Sequence, residues 1–427
     1  MPLIINDVIM RKILKNEDWL AFFAGLAILL AAWAGVYCPS VKFGWSDSSS
    51  FMGLFTSAGN LEGLSGTLLL IILTGIFTLF LRKKKIFNLL MTLLLIFILS
   101  IISQLISGFR PVKYYGFEYV IFALLLGILV RSIFGLPKWM EESLHTEFYI
   151  KTGLVVLGAG IIFGEILSAG LLGLIQAVIV VLAVWFFAYW IAKKLKVDDE
   201  MALMLSSAVS ICGVSAAIAT AGAIKGDGKK LSYVVSLVLI VALPMLILLP
   251  IAAKFLGLNP AQAGAWIGGT IDTSGAVVAS GTILGEEALK FSTIVKFSQN
   301  VLIGFAAVAI SVFWVLKNRK NNKEGKMEKV DFGLIWDRFP KFVLGFLAAS
   351  LMYSFIVSPE NVAATKDYLK GVQTAFFGIA FVGIGLETDL KALVKTGDGR
   401  PAWAFLLAQL FNIFITLGIA FLLFRQG

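Results

Sequence analysis

The chain has 427 residues, of which 59% are hydrophobic and only 15% charged, and its formal net charge is +10. Soluble domains carry about 25% charged residues, so this composition excludes an ordinary soluble enzyme and indicates an all-α integral membrane protein. The basic residues fall in short clusters between apolar runs, which fits the positive-inside rule and argues against nucleic-acid binding.

In chain order, Arg11, Lys12 and Lys15 precede an apolar run at about 19–37. Ala32-Trp33-Ala34 mimics a signal-peptide cleavage site. The run is nevertheless long enough to span, since about 20 residues are needed, and a signal core is usually shorter. We read it as a first helix with a cytoplasmic N-terminus. A polar loop at 38–63 follows, poor in cations and therefore outside. The next run, about 64–81, ends at Arg82-Lys83-Lys84-Lys85, a cytoplasmic marker. Runs at 86–107 and about 117–136 go out and return, and Pro137 to Glu147 is an amphipathic, interfacial stretch. Runs at about 148–168 and 171–192 lead to Lys193, Lys194 and Lys196, again inside.

The stretch at 200–224 differs from these runs. Its core, Leu205 to Gly222, is built of small and hydroxylic residues and is flanked by cations on both sides. A re-entrant hairpin keeps both clusters inside; a crossing would place one outside. After an outward run at 231–253 comes a second stretch of the same character, 261–285, flanked by Asn259-Pro260 and Glu286-Glu287. Poor in cations, it fits a hairpin entered from outside. The run at 289–316 ends in Lys317-Asn318-Arg319-Lys320, and the loop 317–339 is cytoplasmic. Runs at about 340–357, 372–387 and 401–424 leave the C-terminus outside. The expectation is thus about 11 transmembrane helices plus two re-entrant or broken-helix segments. The expected blocks are 1–116, scaffold or oligomer contacts, then 117–256 and 257–427, two transport repeats.

An internal repeat supports that division. Gly153, Gly158 and Gly160 recur at identical spacing as Gly378, Gly383 and Gly385, and the two runs are followed by Glu165 and Asp389. Cys212-Gly213 and Ser274-Gly275 occupy similar places in the two hairpins. Inverted-topology repeats produce such pairs, although glycines also serve plain helix packing.

The two hairpin tips carry the candidate chemistry. Non-helical backbone survives at membrane depth only where protein buries it or water reaches it. A broken helix presents free N–H groups and partial positive charge at the start of its second half, which favours an anion. Small side chains let a solute reach that backbone. Ser210, Cys212, Gly213 and Ser215 form one side of the candidate site. Thr270, Asp272, Thr273, Ser274 and Gly275 form the other. Asp272 is the only acid in either hairpin core; it binds a coupling Na+ or H+, repels a wrong substrate, or simply caps the following half-helix. Lys296, Gln299 and Asn300 put a cation and hydrogen-bonding groups on one turn of the next run. Lys296 faces Asp272 or an anionic substrate, or it snorkels to the interface. Gln176, Gln409 and Asn412 read as interhelical hydrogen bonds, and His145 as a surface residue.

Enzyme signatures are lacking. The chain has no phosphate-binding loop, no nucleophile–His pair and no His/Cys cluster for a metal, and two cysteines, Cys38 and Cys212, make no disulfide framework. No cofactor is expected beyond a coupling Na+ or H+. The expected partners are membrane lipid and a small anionic solute, with a homodimer as a compatible assembly.

At these residues the chain resembles the YeiH-type family of bacterial inner-membrane proteins, whose name implies sulfate export. The likeness is carried by Ser210-Ile-Cys-Gly-Val-Ser-Ala-Ala-Ile-Ala219, Gly268-Gly269 and Val295-Lys296. Phe339-Pro340-Lys-Phe-Val-Leu-Gly-Phe346 and Gly383-Ile-Gly-Leu-Glu-Thr-Asp389 add to it, and together these span roughly residues 115–424. Many members have His at the position of Asp272 and Arg at that of Gln299. The resemblance implies an inverted-repeat, elevator-type secondary transporter of a sulfate- or sulfite-like or small organic anion. An anion channel and a non-transporting subunit of a membrane assembly are the alternatives.

Overall fold

The computed structural model describes residues 16–80, 85–114, 117–319, 336, 339–388 and 399–425. Arg11, Lys12, Lys15, residues 82–84, most of the loop 317–339 and Asp389 lie outside these. The main helices are α1 (Glu17–Trp33), α2 (Ala58–Phe77), α3 (Ile86–Gly108), α4 (Tyr119–Phe134) and α5 (Thr146–Gly158). They continue with α6 (Phe163–Lys194), α7 (Asp199–Ser207), α8 (Val214–Ile224), α9 (Gly228–Phe255) and α10 (Pro260–Thr270). The rest are α11 (Ser274–Leu284), α12 (Glu286–Arg319), α13 (Phe342–Leu351), α14 (Pro359–Glu387) and α15 (Gly399–Leu423).

The protein is all-helical among the described residues, and seven helices are long and apolar enough to cross a membrane: α2, α3, α6, α9, α12, α14 and α15. The sequence reading of about 11 exceeds this because several apolar elements are short. Helix α1 has 17 residues and α4 has 16, and α13 passes after 10 residues into a π-turn segment at Met352–Ile356. The expected run 148–168 is also divided. Helix α5 stops at Gly158, where a methyl would lie 2.3 Å from the Phe346 carbonyl oxygen. The freed backbone beyond it is satisfied locally: Ser350 Oγ donates to Ile161 O (2.6 Å), and Phe163 N donates to Ser354 Oγ (3.0 Å). Helix α14 starts at Pro359 rather than 372, with Ser358 as N-cap and proline in the first turn. His145 is half-buried and left-handed (φ 44°) at the N-cap of α5, not a free surface residue.

The chain forms two compact units, residues 1–164 with 341–390, and 165–340 with 391–427. Each combines distant stretches of sequence, so the units cut across the consecutive blocks 1–116, 117–256 and 257–427. In the first unit the recurring glycines other than Gly160 are sites of close helix approach. Gly127 and Gly385 bring the backbones of α4 and α14 together, Gly153 accommodates Phe377, and Gly383 accommodates Thr146. Small residues permit such approach in membrane helices.

In the second unit the stretches at 200–224 and 261–285 are both broken helices that reverse direction. Helix α7 ends in a π-turn segment, Ala208–Cys212, closed by Gly213 N donating to Ala208 O (2.9 Å). The chain then turns at Gly213 into α8. The two bases meet: Asp227 N donates to Glu200 Oε2 (3.4 Å), and Leu203 and Ile224 share one apolar cluster. Helix α10 begins with Asn259 and Gln262 capping each other and Pro260 in its first turn. It breaks at extended Ile271 and Thr273, and α11 returns.

Helix α12 organises both hairpins. It has 34 residues, about 50 Å at ~1.5 Å rise per residue. Along its first half lies the second hairpin. Methyls built at Gly264, Gly268 and Gly281 would each fall within 2.5 Å of atoms in the stretch Ala288 to Ser292. Along its second half lies the first hairpin, with Ile211, Cys212 and Ala216 on Ile303 and Ala307, and Leu203 and Ile224 on Ile310. The hairpins therefore approach from opposite ends of α12, and their tips meet near its middle. Helix α15 is a second pillar: Ala404, Phe405 and Ala408 pack with the first hairpin. Further along it, Ile413 O accepts from Trp266 Nε1 (2.9 Å) and Phe421 O from Gln262 Nε2 (3.3 Å) of the second hairpin.

The base of the first hairpin is tied by charge. Asp199 pairs with Lys193 (2.8 Å) and Lys317 (2.7 Å), and Lys230 pairs with Asp198 (2.7 Å) and Glu200 (3.1 Å). Burial pushes the Asp199 carboxyl up, but hydrogen bonds from Lys193 and Lys317 outweigh it and hold the group below its ordinary range. A depressed carboxyl contributes stability above its unfolded value and loses it as pH falls through the folded one. Acidification below about pH 4 is therefore expected to speed amide hydrogen exchange at the start of α7. Asp199→Asn should show the faster exchange already at neutral pH.

Candidate functional site

Breaking a helix strands carbonyl groups at the end of its first half and N–H groups at the start of its second. In this unit the stranded carbonyls of both hairpins converge on one turn of α12. Lys296 Nζ donates to Ile211 O (2.7 Å), Ile271 O (2.8 Å) and Gln299 Oε1 (2.9 Å). Gln299 Nε2 donates to Ser210 O (3.0 Å) and Gly269 O (3.2 Å). From α15, Asn412 Nδ2 donates to Val209 O (3.1 Å) and Thr270 O (3.3 Å), and Gln409 Nε2 to Thr270 O (2.9 Å). Carbonyl by carbonyl, side-chain donors from the two pillars close the ends of the first half-helices.

Lys296 is 1% exposed, so it does not snorkel. Its three donors are used on the two tips and Gln299, and among the described residues no ion pair joins it to Asp272. The expected direct pairing is thus replaced by a different charge balance. Each helix C-terminus carries roughly half a negative charge. Two of them amount to about one, which matches a single ammonium without any carboxylate.

Asp272 is 2% exposed, and its Oδ2 is buried with no hydrogen-bond partner. It does not cap α11: Thr273 does, its Oγ1 accepting from Ala276 N (3.3 Å). The two tips touch at this point, since a methyl on Gly213 would lie 3.1 Å from Asp272 Cβ and 2.5 Å from Val238 Cγ1. Gly213 has φ +53° and ψ −107°, a backbone that L side chains rarely adopt. Gly213→Ala is therefore expected to open the tip, at a cost of about 2–4 kcal/mol from strain and overpacking. A fall in melting temperature of the detergent-purified protein would register it.

The remaining candidates divide by environment. Ser210 spends its hydroxyl on Ser206 O (2.7 Å), so only its carbonyl faces the junction. Cys212 and Gly275 are buried. Thr270 is buried with its hydroxyl unpartnered. Ser274 Oγ accepts from Asn300 Nδ2 (3.2 Å), and Asn300 Oδ1 is buried and unpartnered. Ser215 is exposed, and Thr273 and Ser274 are half-exposed. The approachable part of the junction is thus the amino-terminal ends of α8 and α11; Gly213 at the N-cap of α8 offers no side chain, and of the first amides there that of Ala216 meets the Cys212 sulfur. Gln409, Asn412 and Gln176, whose Nε2 donates to Ala265 O (2.8 Å), do bond between helices. Their acceptors are in the second hairpin and, for Asn412, in both, which the chain order alone did not indicate. A cavity of about 260 Å³ is lined by residues such as Leu64, Phe97, Gln104 and Thr374 of the first unit and contains none of the tip residues.

Comparison with known proteins gives one family model, conserved hypothetical protein 698, matching residues 91–404. A UPF0324 membrane protein of Rhodopirellula baltica is 37% identical over 373 residues, covering 85% of this chain and 68% of that protein. One from Nitratidesulfovibrio vulgaris is 36% identical over 343 residues, covering 77% of this chain and 58% of that protein. One from Nitrosomonas europaea is 28% identical with 99% and 98% covered. The chain thus spans less than two thirds of the Nitratidesulfovibrio relative. No solved structure matches.

Proposed function

The chain belongs to the YeiH-type UPF0324 family of multi-pass membrane proteins, and we propose that it is a secondary active transporter carrying a small anion by alternating access. The observation that carries this reading is the junction at the middle of α12. Two 11-residue half-helices, α8 and α11, begin there, beside a buried carboxyl with an unpartnered oxygen. Their first N–H groups and partial positive charge suit a sulfate- or sulfite-like or small organic anion. Ser215, Thr273 and Ser274 add hydroxyls on the approachable side.

In this reading the hairpins enter from opposite faces of the inner membrane, and the crossings number about 11 once the shorter apolar helices are counted. Lysines 193, 194, 225, 229, 230 and 317 cluster around the base of the first hairpin, which favours that base facing the cytoplasm. The N-terminus is then cytoplasmic and the C-terminus outside. An elevator motion requires one compact body that carries the whole binding centre. All residues of the junction fall within 165–340 and 391–427, which supports that mode. Inverted repeats fit the paired hairpins.

Purified protein in proteoliposomes tests the proposal by uptake of radiolabelled sulfate, sulfite and small carboxylates under imposed pH or Na+ gradients. Saturable, gradient-driven uptake is expected for at least one. Uptake at channel rates, independent of any gradient, or none above empty vesicles, would refute it.

A further inference from the structure

The junction also indicates which ion drives transport. Resting on the carrier reading, we infer that Asp272 carries a transported proton and that Lys296 permanently occupies the place a coupling metal cation would take, so the anion moves with H+ and not with Na+. A hard cation binds several oxygens at once, and stranded carbonyls at broken helices are its usual source in carriers. Here Val209, Ser210, Ile211, Gly269, Thr270 and Ile271 supply those carbonyls, and each accepts from a side-chain donor at 2.7–3.3 Å. A metal would have to displace an ammonium that is covalently tethered and charge-matched to two helix ends.

Asp272 is the group left to exchange charge. Among the described residues its ionisable neighbours are Lys296 from α12 and the Cys212 thiol from the first tip; α9 between 234 and 253, and α15 between 401 and 424, contribute no charged side chain. A buried carboxylate with a bare oxygen is strongly disfavoured, and its charge would repel an anion at α8 and α11. Taking a proton from one aqueous side removes both penalties, and releasing it on the other side restores them. Proton and anion therefore bind cooperatively, and linkage is reciprocal: anion affinity rises as pH falls.

The test reads the resting protein and needs no substrate. Infrared spectra of the full chain in nanodiscs would be recorded across pH in choline chloride and again in sodium chloride at equal ionic strength. A protonated-carboxyl C=O band is expected that is lost in Asp272→Asn, fades as pH rises, and is the same in both salts. Absence of that band at every pH, or its loss on exchanging choline for Na+ at constant pH, would overturn the inference. Because flux is not measured, a failure of anion transport would leave this result readable. Conversely, Na+-driven anion uptake would refute the proton assignment and keep the carrier.

Discussion

Lys296→Met should be the most destabilising single change in the second unit. The ammonium supplies hydrogen bonds to Ile211 O, Ile271 O and Gln299 Oε1. Methionine is of similar length and leaves all three acceptors buried without a donor. Each such loss costs about 1–3 kcal/mol, so about 3–9 kcal/mol is expected, against a total stability of about 5–15 kcal/mol for a typical domain. Relief of the buried charge returns little, because two helix ends already balance it. A lower melting temperature in detergent and faster amide exchange at 209–214 and 269–273 together would confirm this. Wild-type exchange at both tips would show that the lysine does not hold them.

Asp272→Asn should act on function rather than on folding. The amide matches the carboxyl in shape and adds no charge to a position that is already 2% exposed. It cannot carry a proton. Anion uptake should fall by about 10²-fold or more, the scale on which a proton-transferring side chain matters, or continue without response to a pH gradient. The melting temperature should stay close to that of the parent. Parent-like, still gradient-driven uptake in this variant would remove Asp272 from the mechanism.

Much of this centre is legible in the chain order. The small-residue stretches announce the broken helices, the cations around 200–224 and the acids around 261–285 suggest opposite entry, and Lys296, Gln299 and Asn300 mark the polar turn of α12. What Lys296 does is not legible, because the number of carbonyls stranded by a helix break depends on the π-turn at Ala208–Cys212 and the extended pair at Ile271 and Thr273. Gln409 and Asn412 look like ordinary interhelical donors; only the fold brings Thr270 O and Val209 O to them. The start of α14 escapes hydropathy because Glu360, Lys366, Asp367 and Lys370 sit in its first turns. The end of α5 depends on a contact between Gly158 and Phe346, which lie far apart in sequence.

Alternating access requires the meeting point of the hairpins to be reached by solute from each side of the membrane in turn. Single cysteines at Ser215 and Ser274, in a chain with Cys38 and Cys212 replaced, can be labelled with an impermeant thiol reagent added to one face at a time. Labelling of both positions from either face, slowed by the transported anion, is the predicted result. Labelling of each position from one face only, unchanged by any anion, would contradict the account.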